Sequence, residues 1–479
     1  MRRLVLPVVA LTALAVRLVP LLIGPGLIGF NHYDDGVYYA AAASLVDGRL
    51  PYRDFVLLHP PLIALALAPF AALGRLTSDP TGLLFARLAW ILIGTATSVL
   101  AARLAGRWGT GAALIAGLWV ACSASASYAS QSTFIEPVPD LALLGGVTLL
   151  VCDRERPRHE LLAGVLLGVA LTGKIWYVAP VGVLLLVVLL QRRVRPALRA
   201  AATATVTAAA ILLPFFAAAP AAMWRMVVYD QLTRAPSARA TLVDRLGLST
   251  TGRFLGLGHP WAVGVSVAVA VLLVVAALAI GRGAREAWPV VAVAAAAIAL
   301  LLLSPSSFRH YGSVAAAPVG VTLGVGLTLA SAAVLRSARS RGVVVLVLTG
   351  ALAASGVLTL IHPDQQSFPR DEVAAVLPAG CITADSPSSL IATDRLTSDL
   401  RAGCPVAVDV SGASYGAGIA RGRDAPYLKW LRSYLTSGSA MILSRHPHGD
   451  GLRPAELAAL GRTIYARGRV RVELPRTHR

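Results

Sequence analysis

The run LVLPVVALTALAVRLVPLLI, Leu4–Ile23, is followed closely by NHYDDGVYYAAAASLVDGRLPYRDF, residues 31–55. The first stretch has the length and apolarity of a bilayer-spanning helix, which needs about 20 residues. The second places two adjacent carboxylates, Asp34 and Asp35, and the tyrosines Tyr33, Tyr38, Tyr39 and Tyr52 just beyond its end. Aromatic residues gather at membrane interfaces. A paired acid at such an edge needs a reason. Arg17 and Pro20 interrupt the first run, and no clear small-x-small cleavage site follows it. It reads as a retained first helix rather than a cleaved signal peptide.

The rest of the chain has the same character. It is 56% hydrophobic and only 14% charged, with a mean hydropathy of +0.69. Soluble domains carry about 25% charge. Apolar runs fall near 4–24, 83–104, 110–127, 138–152, 160–173, 175–190, 199–217, 260–280, 288–303, 313–335 and 342–361. The spacing predicts about eleven transmembrane helices. The two runs flanking Lys174 are short and read as broken or re-entrant. Residues 62–73 are too short to span and read as an interfacial piece.

The net charge of +19 does not indicate nucleic acid, because no basic run is interleaved with stacking aromatics. The arginines instead fall in alternate loops: RRL at the start, Arg103 and Arg107, DRERPRHE at 153–160, QRRVRPALR at 191–199, GRGARE at 281–286 and RSARSR at 336–341. Positive loops stay in the cytoplasm. The N-terminus is therefore expected inside. The loop 25–82 and everything after about 362 are expected outside the cell membrane.

After residue 361 the chain turns polar. CITAD, PVAVDV and AMILS read as strands; APYLKWLRSYLTS and RPAELAALGRTIYARG read as helices. The expected fold class is thus an α-helical polytopic membrane protein with a small C-terminal extracytoplasmic α/β domain. The expected domains are 1–361, with its first external loop 25–82, and 362–479. Cys381 and Cys404 both lie in the tail, where an oxidising exterior permits a disulfide; two free thiols are the other reading.

Chemistry-bearing residues gather on the predicted outer side. Asp34 and Asp35 are either a solvated helix cap or a base at an apolar boundary, where desolvation and like charge raise a carboxyl pKa. In SQSTFIEPVPDLALLGG, Glu136 and Asp140 either complement a helix dipole, or Glu136 faces Asp34 across an external cavity. Asp34, Asp35 and Glu136 are also the candidate ligands of a divalent cation, Mg, Mn or Ca. Lys174, in ALTGKIWYVAP, either snorkels or meets a lipid phosphate. Arg309, His310 and Tyr311, in SSFRHYG, either anchor the interface or bind that phosphate. His59, in HPPL, and Arg234, in the 218–259 loop, are candidate substrate contacts with Tyr38.

YDDGVYYAAAASLVDGRLPYRDF followed by HPPLIALALAPF resembles the first external loop of GT-C glycosyltransferases, in particular the bacterial aminoarabinose transferases and protein O-mannosyltransferases. Those loops carry an acid pair, a tyrosine-bearing juxtamembrane helix and a Pro-Pro-Leu motif, here Asp34-Asp35, Tyr38 and Pro60-Pro61-Leu62. LTGKIWYVAP is similar to the family's lysine-bearing turn, although here the glycine precedes Lys174. FRHYGSVAAAP is similar to its basic-aromatic stretch before a late helix. The resemblance covers roughly the first 360 residues and matches nothing in the tail. It implies an integral-membrane glycosyltransferase with a polyprenyl-monophosphate sugar donor, such as a mannose or arabinose lipid. It implies an extracytoplasmic glycan, lipid or protein acceptor, and Asp34 as the base. A transporter or flippase for a lipid-linked glycan is the alternative. It would favour acids deep within helices, whereas these acids cluster at helix ends.

Overall fold

The computed structural model describes residues 2–476 apart from positions 25, 31, 153–155, 192, 234–240, 253–259, 361–367, 418 and 446–450. All eleven apolar runs are helical within the described residues. Among the described residues six helices are long and apolar enough on their own to cross a membrane, for example Val194–Ala218 and Arg309–Val334. A seventh span is reached if Thr110–Cys122 and Ala124–Gln131, bent by 54° at Ser123, count as one. Length alone therefore does not give the expected eleven. Pro137–Cys152, Pro157–Leu171 and Val178–Leu190 have 16, 15 and 13 residues, short of a full crossing.

The chain forms two compact units. The first comprises residues 1–20, 89–211 and 236–363; the second comprises 21–88, 212–235 and 364–479. Residues 25–82 thus belong with the C-terminal segment. The expected boundary at 361–362 falls on a stretch outside the described residues.

In the first unit the core runs along helix Ser313–Val334, whose first fourteen residues are all buried. Its glycines explain why. A Cβ at Gly324 would meet the Ala112 carbonyl oxygen at 2.5 Å, and one at Gly326 would meet Ala276 Cα at 2.4 Å. Small residues let membrane helices approach backbone to backbone. Here they seat the helix against Thr110–Cys122 and Pro260–Gly283.

In the second unit, helix Tyr33–Val46 is buried on nearly every side, from Asp35 to Ser44. It packs beside Leu62–Leu76. Gly74 and Gly82 leave room for the Tyr39 hydroxyl, which a Cβ at either position would meet at 2.3 or 2.1 Å. The C-terminal segment forms a four-stranded sheet, β1 (Ile382–Ala384), β2 (Ala440–Leu443), β3 (Gly461–Arg467) and β4 (Val470–Pro475), in the order β1-β2-β4-β3. β1 and β2 are parallel, and the other pairs are antiparallel. Helix Ala425–Leu435 turns Leu431 and Leu435 into its core.

Two expectations for the tail need correction. PVAVDV is irregular, not a strand. RPAELAALGRTIYARG is helical only over Pro454–Leu460, and GRTIYAR is strand β3. Thr463, Ile464 and Tyr465 are β-formers. Gly468, at φ +57°, supplies the turn into β4. Cys381 and Cys404 are joined in a disulfide with Cα atoms 5.5 Å apart.

Candidate active site

Within the first unit, three breaks in helical structure bring the cluster together. The bend at Ser123 leads through helix Ala124–Gln131 to a short loop that Trp90 Nε1 fixes by donating to the Phe134 carbonyl at 2.7 Å. Glu136 ends this loop, just before helix Pro137–Cys152. Lys174 follows helix Pro157–Leu171 in extended backbone, φ −154° and ψ 140°. Gly173 permits the approach, since a Cβ there would meet Pro139 Cγ at 2.7 Å. The third break is the tight turn Arg309–Gly312 ahead of helix Ser313–Val334.

Lys174 Nζ lies 2.9 Å from Glu136 Oε1, and both side chains are at most 3% exposed. The ammonium also sits over two aromatic rings, 4.1 Å from the Trp176 centroid and 3.6 Å from that of Tyr311. His310 Nε2 is 3.7 Å from the same carboxylate oxygen, with its ring stacked on Phe134. Glu136 Oε2 is buried and accepts no hydrogen bond among the described residues. Arg309, half-buried, covers the Tyr128 ring at 4.5 Å. Beneath these groups, Asp140 accepts from the Tyr177 hydroxyl at 2.6 Å and from the Ser313 hydroxyl. It thereby links all three segments.

The structure thus brings Glu136, Lys174, His310 and Tyr311 together, with Asp140, Trp176 and Tyr177 added. Lys174 does not snorkel. It is enclosed, and its charge is held by a carboxylate and two π faces.

In the second unit the acid pair divides. Asp35 is 1% exposed and forms an ion pair with Arg87, whose Nε lies 3.1 Å from Asp35 Oδ2. Arg87 also donates to the carbonyls of Leu27 and Gly29. Asp34 is half-buried. Neither acid is the helix cap. His32 occupies that position, and both acids lie in the first turn, where the dipole favours negative charge. Tyr38 is buried, with its ring centroid 6.0 Å from that of His59. The Tyr52 hydroxyl donates to the His59 carbonyl at 2.7 Å. Arg234 lies outside the described residues.

Two of the three expected divalent-cation ligands are engaged in ion pairs. Asp35 already carries Arg87 and Glu136 already carries Lys174. Among the described residues no group of three or more His, Cys, Asp or Glu is arranged to hold a metal. Sequence reasoning missed Arg87, although a lone arginine within the apolar stretch FARLAW was a readable signal.

The family model of glycosyltransferase family 87 matches residues 57–305, just over half of the chain. The chain belongs to glycosyltransferase family 87. Family membership decides for an enzyme over the transporter reading. No curated protein matches by sequence. Among solved structures, this family 87 chain is similar to ArnT from Cupriavidus metallidurans bound to undecaprenyl phosphate. The TM-score is 0.67 at 16% identity, over 98% of each chain. It is also similar to the Archaeoglobus fulgidus oligosaccharyltransferase tethered to an acceptor peptide, with TM-score 0.61 at 10% identity over 96% of this chain and 72% of that one. A third likeness is to AglB from the same organism, in complex with an inhibitory peptide and a dolichol-phosphate. There the TM-score is 0.53 at 13% identity, over 79% of this chain and 58% of that one. These likenesses show the GT-C fold. With the family match, they make the family 87 chain a membrane glycosyltransferase.

Proposed function

We propose that this enzyme transfers a sugar from a polyprenyl-monophosphate donor to an acceptor hydroxyl or amine on the outer side of the membrane. The observation that carries this reading is the full-length likeness to ArnT bound to undecaprenyl phosphate. The buried cluster around Lys174 supports it, since a membrane interior does not tolerate such charges without a use.

In the proposed reaction Asp34 takes the proton of the acceptor. The acceptor atom attacks the anomeric carbon from the face opposite the phosphate. The carbon–oxygen bond to phosphate breaks, and the polyprenyl phosphate leaves with the added negative charge. The sugar is inverted at that carbon. Lys174 and Arg309 stabilise the developing charge, with His310 and Tyr311 beside them; preorganised charges of this kind need no reorganisation during reaction. Arg309 offers a planar fork for phosphate oxygens. Glu136 holds Lys174 in place, and its free Oε2 accepts from a substrate hydroxyl. Asp35, bound to Arg87, is structural.

The test uses membranes supplied with radiolabelled polyprenyl-phosphate mannose or polyprenyl-phosphate arabinose. Wild-type protein is expected to move label from one of them to an envelope acceptor. Asp34→Asn is expected to lose about 10²–10⁴-fold in turnover, the usual scale for a general base. Its affinity for undecaprenyl phosphate should hardly change. Lys174→Ala should weaken lipid binding instead. Normal turnover in folded Asp34→Asn would remove the base assignment.

A further inference from the structure

The residue preceding Asp34 is gripped by the C-terminal segment. The Tyr33 hydroxyl donates to Asp409 Oδ1 at 2.9 Å and accepts from the Ser411 backbone N–H at 2.8 Å. The Arg445 guanidinium lies over the Tyr33 ring, 3.8 Å from its centroid, and donates to the Ser411 hydroxyl. Asp409 is itself fixed, accepting from the Gly412 N–H at 2.7 Å. Two residues beyond Asp34, helix and segment touch directly. A Cβ on Gly36 would lie 2.1 Å from Ser388 Oγ and 2.6 Å from Ser388 N. Further along, Thr397 donates to Asp79 from both its backbone and its hydroxyl, and Asp79 N–H donates to Asp394 at 2.8 Å.

We infer that the C-terminal domain is a positioning device for the acidic loop, with Tyr33, Asp409 and Arg445 as a clamp that sets where Asp34 points. Asp34 follows the clamped Tyr33 and precedes Asp35, which is fixed by Arg87. Its backbone is thus held on both sides while its side chain stays half-buried. The first turn of a helix lacks a preceding turn to order it, and a base must lie within hydrogen-bond reach of the proton it takes. A misplacement of about 1 Å can cost roughly 10²-fold in rate. A docked soluble domain supplies the missing order. Tyr33, Asp409 and Arg445 are positioning residues: they act through Asp34. The inference rests on the proposed role of Asp34 as base.

The experiment compares Tyr33→Phe, Asp409→Ala, Asp409→Asn and their combinations in full-length protein in nanodiscs. Tyr33→Phe keeps the ring under Arg445 and loses only the hydroxyl. It and Asp409→Ala should each lower kcat about 10- to 100-fold. The double variant should be little worse than either, because both break one link. Asp409→Asn retains an acceptor and should recover most of the loss. Binding of undecaprenyl phosphate should stay unchanged in all. Hydrogen exchange across residues 33–38 should quicken, while that of 313–325 stays slow. Wild-type turnover in Tyr33→Phe and Asp409→Ala, with Asp34→Asn inactive, would overturn the clamp and leave the base in place. A slow Tyr33→Phe beside an active Asp34→Asn would overturn action through Asp34. If wild-type protein transfers neither sugar, exchange decides alone: unchanged exchange across 33–38 in Tyr33→Phe overturns the clamp, and faster exchange supports it.

Discussion

At the residue scale, charge buried inside a membrane protein must find a partner, and Lys174 shows how. Glu136 supplies the countercharge, while Trp176 and Tyr311 cover the ammonium with their ring faces. Removing one partner of a buried ion pair costs about 3–5 kcal/mol, because the other charge is left uncompensated. Ring contacts of about 0.5–2 kcal/mol offset only part of that. Glu136→Gln should therefore lower the thermal midpoint of the detergent-solubilised protein clearly. Adding Lys174→Met, which removes the stranded charge, should restore much of it. A Glu136→Gln midpoint equal to that of wild type would show that Lys174 does not depend on this carboxylate. Asp399, in the C-terminal segment, gives a different signature. Burial pushes its carboxyl up to about 6, even though it accepts from the Ile382 N–H. An unfolded aspartate titrates near 3.9. The folded state therefore holds the proton more tightly. The stabilisation is complete below about pH 4 and is lost as the pH rises through about 6. Asp399→Asn should flatten the pH dependence of the midpoint across that window. A wild-type slope retained in the variant would assign the dependence to another group.

At the scale of elements, the sequence was legible where one rule governed and opaque where two competed. Each of the eleven runs found by apolar length is helical within the described residues. Length on its own gives six or seven full spans among the described residues, and the breaks at Ser123, Lys174 and Arg309–Gly312 are what build the cluster. Glycine and proline at those breaks were visible, but their packing was not: Gly173 is needed only because Pro139 passes so close. Lys174, His310 and Tyr311 were readable as charged or aromatic residues at helix ends. Arg87 hid within a span, and no spacing rule links it to Asp35 across the intervening chain. In the tail, the helix formers Leu457, Ala458, Ala459 and Leu460 suggested a helix running on past them. The β-formers Thr463, Ile464 and Tyr465 take the chain into β3 instead. The disulfide Cys381–Cys404 ties the start of β1 to the end of helix Leu396–Arg401. Closing a loop of that size contributes about 3 kcal/mol in the chain-entropy model. Cys404→Ser should lower the stability of the tail, seen as faster proteolysis within 382–443 with the membrane helices intact. Identical peptide maps with and without reductant would show that the bond does not form.

At the scale of the whole molecule, the question is which side of the membrane each end occupies. The arginine-bearing loops alternate along the sequence, and positive loops resist translocation. By that rule the N-terminus and the 336–341 loop are expected in the cytoplasm and the C-terminal domain outside. The proposed chemistry requires the same arrangement. A polyprenyl phosphate cannot leave the bilayer, and an envelope acceptor arrives from outside, so the base must stand at that boundary. On this reading a paired acid belongs at a membrane edge because its members divide the work: Asp35 anchors to Arg87, and Asp34 is presented. The orientation is testable with single cysteines at exposed positions, Ser433→Cys in the C-terminal domain and Arg339→Cys in the basic loop, in a background lacking Cys122 and Cys152. A membrane-impermeant maleimide applied to intact cells should label Ser433→Cys. It should reach Arg339→Cys only after the membrane is opened. The reverse pattern would invert the topology and move Asp34 to the cytoplasmic face, where an extracytoplasmic acceptor cannot meet it.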